Sequence, residues 1–271
     1  MYCAPEPANL GPMCTVVILR RPDHARWPLI IAANRDEMRG RPASPPARHW
    51  PDRPKVIAGR DETAGGTWLG VSDRGLVAGV LNRPGSLGPD AAKRSRGELP
   101  LEALDHATAK DAADALVHLD PTAYRPFNLF IGDANAAFWL RATGAGIAAF
   151  PVPDGLSMLT AHGLDDGESP RARHFHPLFA AAPAPNPDDP DDPANPQGGW
   201  DAWARLMASS DRETGAGPEG AMRIETTGGF ATVSGSLIAL PRPGTAPGQK
   251  NAARWLYCPD APGIGVWQTV S

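Results

Sequence analysis

At 271 residues with 42% hydrophobic side chains, the chain carries enough apolar material for a sizeable core, and its length suits one large domain better than several small ones. Its net charge of −4, with Lys and Arg scattered along it, offers no basic stripe for nucleic acid, and no apolar run approaches the roughly twenty residues that cross a bilayer as a helix. Three cysteines, Cys3, Cys14 and Cys258, are too few for a disulfide framework and form no CxxC pair, which fits a reducing cytoplasm.

Residues 1–12 lack the basic end and apolar centre of a signal peptide. They read as a disordered leader, a short pro-segment or a start placed too early, with one folded domain expected over residues 13–271. Aminopeptidases commonly remove a Met that precedes a small residue, so a chain started at Met13 would mature to an N-terminal Cys14 bearing both a thiol and a free α-amine. Such an amine has a pKa of about 8, and its unprotonated fraction can serve as general base for its own thiol. Asp36 or Asn34 can hold that amine in place. The plainer alternative is that Cys14 is a small buried hydrophobe.

Thr15 to Leu19 is β-branched, Arg20 to Arg26 is a polar turn, and Leu29 to Ala33 is apolar again, which predicts a hairpin looping at His24. The second run opens abruptly into Asn34, Arg35, Asp36 and Glu37. Those groups need partners or water, so they are expected at a strand end beside Cys14. Arg39 to Pro54 is rich in Pro and Arg and reads as a rim loop without regular structure, pinned by Trp50. Val56 to Asp61, Thr67 to Val71 and Leu76 to Leu81 read as strands, with a tight turn at Gly65-Gly66. Asn82 closes the last of them, where its amide can donate to an oxyanion or bond its own turn backbone.

Leu99 to His106 reads as a helix, and Thr108 to Asp111 has the form of a capping box before a second one. Phe127 to Gly132, Ala136 to Arg141, Gly146 to Phe150 and Leu156 to Thr160 are short runs broken by Gly, Asp and Pro, predicting a meandering antiparallel sheet. Ser169-Pro170 starts a helix extending to about Ala181, with a kink or a restart expected at Pro177. Residues 183–199 are too polar to pack and read as an exposed loop. Trp200, Trp203, Leu206 and Met207 then recur at helical spacing as core residues. Thr232 to Ser236 followed by Leu237 to Leu240 resembles a strand pair of a known family, and Arg254 to Tyr257 and Val266 to Thr269 read as closing edges. On periodicity alone this order is α+β.

Several segments carry a family resemblance: Met13-Cys14, Asn34-Arg35-Asp36-Glu37, Gly65 to Val71, Asn82, Arg96-Gly97-Glu98-Leu99, Phe127-Asn128-Leu129 and Ser169-Pro170. In this order and spacing the chain resembles the NRDE family of transport and Golgi organisation protein 2 and its bacterial relatives. That family looks in turn like the cysteine N-terminal-nucleophile hydrolases, such as penicillin V acylase and the bile salt hydrolases. The resemblance implies a four-layer αββα sandwich, with Cys14 as nucleophile and Asp36, Asn34 and Arg35 around it. Arg35 is displaced by two positions from the Arg of the hydrolase pattern. Asn82, Thr67 and Trp68 are implied on the substrate side, and His162 stands near the place of an oxyanion-donating Asn.

No GxGxxG, phosphate-loop, HExxH or zinc-finger spacing occurs, and Gly70 to Gly75 has one residue too many for a GxSxG elbow. Two functions follow. One is a hydrolase or acyltransferase acting through Cys14 on a non-peptide amide or thioester, with no cofactor required. The other is a carrier of a hydrophobic ligand such as an acyl lipid or haem; the resemblance implies links to haem trafficking and lipid metabolism, and His162, His174 or His176 can supply axial ligands.

Overall fold

The computed structural model describes residues 14–88, 90–189, 197–244 and 252–271, so the leader expected over 1–12 lies outside the described residues. The predicted first hairpin is β1 (Thr15–Arg20) and β2 (Leu29–Met38). Its loop is closed by the His24 ring, whose Nδ1 accepts the backbone N–H groups of Arg26 at 3.2 Å and Trp27 at 2.9 Å.

Two antiparallel sheets account for the strands. The first has the order β10 (Gly155–Leu159), β1, β2, β11 (Phe230–Leu240), β12 (Arg254–Cys258) and β13 (Gln268–Thr269). The second runs in sequence order through β3 (Ala43–Ala47), β4 (Val56–Asp61), β5 (Leu69–Ser72), β6 (Val77–Asn82), β7 (Phe127–Gly132), β8 (Ala137–Ala142) and β9 (Ile147–Pro151).

Strand alternation sorts the layers. Val16, Ile18, Ile31 and Ala33 face the second sheet and pack on Leu69, Val77, Leu81 and Phe130. Val17, Ile30 and Ala32 point the other way, onto Phe175, Phe179, Trp203 and Met207 of α3 (Pro170–Ala181) and α4 (Asp201–Met207). The outer face of the second sheet is covered by α1 (Glu98–Leu104) and α2 (Ala109–Leu116), with Leu99, Leu104 and Leu116 against Val56, Leu129 and Leu140. A strand buried on both faces has few polar positions, and Ile18, Ile30 and Ile31 each contribute about 1.5–3 kcal/mol by burial. The result is the expected αββα sandwich.

The helix starts are as read. Ser169 Oγ accepts Ala172 N–H at 3.2 Å, and Thr108 Oγ1 accepts Asp111 N–H at 3.1 Å. Helix α3 continues through Pro177 to Ala181 without a break.

Four expectations need correction. The Pro-rich stretch after Arg39 contains β3, which is tolerable because it is an edge strand whose pairing with β4 is interrupted between Ser44 and Ala47, at Pro45 and Pro46. The meander ends at β9: β10 crosses to the other sheet and pairs with β1, helped by Arg20, which bonds Val152 O at 2.6 Å and Asp154 at 3.0 Å. Thr232 to Leu240 is one long strand, not a pair, because its residues run unbroken beside β2 apart from a bulge between Thr232 and Ser234. The tract after Ala182 is also less free than its composition implies, since Asp188 accepts Trp27 Nε1–H at 3.0 Å.

Asn128 ties the two sheets. Its Nδ2 donates to Thr160 O at 2.8 Å and Ala161 O at 3.0 Å, and its Oδ1 accepts Arg83 at 2.7 Å and Trp139 Nε1–H at 3.1 Å. A wholly buried Asn with donors and acceptor all engaged explains why this motif residue sits inside an apolar run.

Candidate functional site

The site lies where β1 begins and β2 leaves the sandwich. Thr15 pairs with Asn34 across the two strands, which sets Cys14 opposite the Arg35–Asp36 segment. Asp36 N–H donates to Cys14 Sγ at 3.4 Å, and the thiol donates to Asp36 O at 3.5 Å. The contact between Cys14 and Asp36 is therefore made by main chain.

Alternation along β2 decides where each side chain goes. Arg35 faces the space between the sheets with Cys14, and its guanidinium lies 4.1 Å from the centre of the Trp68 ring. Asp36 points to the helix layer. There its Oδ2 accepts Arg171 Nη1–H at 3.0 Å and its Oδ1 accepts Thr232 Oγ1–H at 2.6 Å. Arg171 Nη1 also donates to Thr15 Oγ1 at 2.6 Å, so one guanidinium of α3 braces both strands beneath Cys14. The bulge in β11 falls at this point and lets Thr232 and Ser234 pair with Asp36 and Arg35 in turn. Asn34 also faces the helices, and its Nδ2 donates to Met207 O at 3.0 Å and Met222 O at 2.9 Å. The structure thus brings Asp36 to Cys14 through its backbone and sends the Asn34 amide elsewhere.

A cleft of about 280 Å³ opens in front of Cys14. Arg35, Glu37, Thr67, Trp68, Asn82, Arg96 and Arg125 are among the residues that line it. The Thr67 hydroxyl is engaged within its own turn, donating to Leu69 O at 3.0 Å and accepting Leu69 N–H at 3.2 Å. Asn82 is half-buried, and among the described residues its amide has no side-chain hydrogen bond, so it does not bond its own turn. His162 is not a lining residue: its carbonyl accepts Arg83 at 2.9 Å, on the Asn128 side of the fold. His174 packs edge-on to Phe175, and His176 lies 3.3 Å from Leu156 O; neither reaches the cleft.

Two motif fragments meet at the cleft wall. A Cβ on Gly66 would come within 2.5 Å of the Gly97 carbonyl carbon, and Thr67 N–H donates to Gly97 O at 2.8 Å. Gly97 follows Arg96, which reaches Ser86 O at 2.9 Å and Pro126 O at 3.0 Å. The glycines are there so that two backbones can touch.

Burial, then the Asp36 charge, pushes the Cys14 thiol up to about 12, with Arg35 opposing. Burial likewise raises the Asp36 carboxyl above the usual carboxylate range, against the pull of Arg171 and Thr232. Arg96 is lowered to about 10 by burial and then by the charge of Arg125. With a peptide bond ahead of it, Cys14 is a protonated thiol at neutral pH.

Arg171, Thr232 and Thr15 were not legible as site residues. Arg171 stands in a polar helix beside Arg173, and only its burial at 2% exposure separates the two.

Residues 13–185 match the model of the family described as Transport and Golgi organisation 2. The Transport and Golgi organization protein 2 homolog of Homo sapiens is 39% identical over 116 residues, and the Mus musculus homolog 37% over 119. Each alignment covers 40% of this chain and 40% of the relative, so the chain spans about two fifths of the length of the curated relatives it matches. Among solved structures, an Arg-to-Leu variant of conjugated bile acid hydrolase from Clostridium perfringens covers 95% of this chain and 92% of that one, with a TM-score of 0.50 and 10% identity. Penicillin V acylase from Agrobacterium tumefaciens covers 95% and 98%, at 0.47 and 12%. The bile acid hydrolase likeness agrees with the sandwich described above. No helix among the described residues is long and apolar enough to cross a membrane. The family match covers more than half of the sequence, and the chain belongs to the Transport and Golgi organisation 2 family.

Proposed function

We propose that the protein is an N-terminal-nucleophile-like hydrolase or acyltransferase that acts on a non-peptide amide or thioester through Cys14. The observation that carries this reading is that Cys14 lines a cleft whose wall also holds Asn82, an amide with no side-chain hydrogen bond among the described residues. In this reading Asn82 donates to the oxyanion, and Arg35, over the Trp68 ring, shares the cleft with Cys14. Asp36 fixes the thiol through its backbone while its carboxylate is locked to Arg171. The chemistry calls for no cofactor.

A base is needed. The groups hydrogen-bonded to Cys14 Sγ are the main-chain N–H and C=O of Asp36, and neither can accept a proton at neutral pH. The free α-amine of a chain matured to Cys14 is the group with suitable basicity. A retained leader turns it into an amide. The raised thiol pKa of the unprocessed chain favours a second reading for that form, a carrier that binds a hydrophobic acyl ligand without turnover.

The test compares protein started at Met13, with Met13 removed, against protein retaining residues 1–13. Intact mass should show an acyl adduct forming much faster on the short form and none on its Cys14→Ser variant. Equal rates in both forms would remove the α-amine mechanism and leave the carrier ahead.

A further inference from the structure

Cys14 stands at the junction of two unlike spaces. In front is the charged cleft; behind, between the sheets, is a slot of about 20 Å³ walled by Val16, Ala33, Leu69, Val80 and Leu81. A group bonded to Cys14 Sγ can extend into either. The slot is apolar but admits little more than one or two water-sized groups. Trp68 and Arg35 border both spaces.

Charge in the cleft is unbalanced. Arg41 is shared by Asp61 at 2.7 Å and Glu37 at 3.7 Å, and Arg94 pairs with Glu98 at 2.6 Å. Among the described residues the remaining lining cations have neutral contacts and no carboxylate within ion-pair distance, although the Glu37 charge also acts on Arg96. Lys93 donates to Thr122 O at 2.5 Å, and Arg125 to Gly85 O at 3.2 Å and Gly88 O at 3.4 Å. Arg96 spends its bonds on Ser86 and Pro126, and Arg35 stacks on an indole. Against these stand Asp90, whose Oδ1 accepts Ala92 N–H at 3.0 Å, and the one carboxylate left over where Asp61 and Glu37 share Arg41. In a chain of net charge −4, four lining cations with no carboxylate within ion-pair distance among the described residues outnumber these two carboxylates, and a bound anion would offset the surplus.

We propose that the substrate is a compact acyl donor whose leaving portion carries an anionic group, with Arg96, Arg125 and Lys93 as the anion subsite and the slot behind Cys14 taking the acyl chain. This rests on the acyl-transfer reading above. Cys14 Sγ bonds to the acyl carbon as the bond from that carbon to the leaving sulfur or nitrogen breaks. The thiol proton passes through the α-amine to the departing atom. An acyl chain longer than a few carbons overfills the slot and must turn into the charged cleft.

The experiment uses the chain matured to Cys14 and four probes, the acetyl and octanoyl thioesters of 2-mercaptoethanesulfonate and of 2-mercaptoethanol. Each rate of Cys14 acylation, followed by intact mass, is divided by the rate with free cysteine to remove intrinsic reactivity. The acetyl sulfonate should exceed the acetyl neutral donor about tenfold, the size of one charge-assisted hydrogen bond. That advantage should collapse in the double variant Lys93→Gln, Arg125→Gln and shrink in high salt. Octanoyl donors should be slower than acetyl ones on the same leaving group. Equal rates for sulfonate and neutral donors, or faster octanoyl transfer, would overturn the substrate assignment while leaving Cys14 an acyl acceptor. No adduct from any of the four would overturn both.

Discussion

Arg171 Nη1 meets Asp36 Oδ2 at 3.0 Å, with the two side chains 2% and 0% exposed, so a helix of one outer layer is ionically fastened to the strand that carries the family signature. Removing one partner of such a pair strands a buried charge, which costs about 3–5 kcal/mol. Arg171→Met should lower the unfolding free energy measured in urea by that order. The pH dependence has a definite sign. Because burial raises the Asp36 carboxyl, the native state holds more protons than the unfolded chain between the unfolded and folded pKa values, so stability falls as pH rises through that window. Loss of Arg171 extends the window upward. The deficit of Arg171→Met should therefore shrink as pH falls from neutral towards mildly acidic, and a deficit that stays constant would show that Asp36 carries no charge for Arg171 to offset.

Asn34 serves the fold from inside the signature. Its Nδ2 bridges Met207 O and Met222 O, at the end of α4 and in the segment leading to β11. Asn34→Ala leaves those two carbonyls without their donor, whereas Asn34→Asp sets a carboxylate against them. Asn34→Asp should be the more destabilising, by about 1–3 kcal/mol. Equal midpoints in chemical denaturation would count against the bridge.

What could be read in the chain follows from periodicity. The β1–β2 hairpin, the caps at Ser169 and Thr108 and the packing of Trp200 and Trp203 are local signals, and each is where the pattern put it. The transfer of β10 to the other sheet was not legible, because an apolar run of five carries no mark of its partner. The site divides in the same way. Proximity of Cys14 to Asp36 follows from the hairpin, but side-chain direction depends on strand phase, and that phase turns Asn34 and the Asp36 carboxylate to the helices. Arg171 is 135 positions from Asp36, beyond any spacing argument.

Gly66 and Gly97 make a backbone contact that no side chain can relax. A Cβ on Gly66 would lie 2.5 Å and 2.6 Å from the carbonyl carbon and oxygen of Gly97, so strand entry and the Arg96 loop would have to part. Gly66→Ala should cost about 1–3 kcal/mol. Gly40→Ala meets nothing within 4 Å and should stay within about 0.5 kcal/mol of the parent. Similar melting temperatures for the two variants would contradict the contact.

The last prediction concerns the thiol itself. Burial and the neighbouring Asp36 charge hold the Cys14 thiol up to about 12 when residue 13 is attached, so at neutral pH only a minute fraction is thiolate. Below its pKa that fraction grows about tenfold per pH unit. Iodoacetamide labelling of Cys14 in the full chain, located by peptide mapping, should rise about tenfold per unit without a plateau through mildly alkaline pH. Cys258 is an internal control. It is wholly buried, its Sγ lies 3.8 Å from Ala261 O and burial raises it too, so it should stay unlabelled in the folded protein. In the chain matured to Cys14 the α-amine enters the same equilibrium, and the profile should bend at about pH 8, where that amine loses its proton. A bend at that pH in the full chain would show that its thiol is not raised, and the difference between processed and unprocessed forms would lose its physical basis.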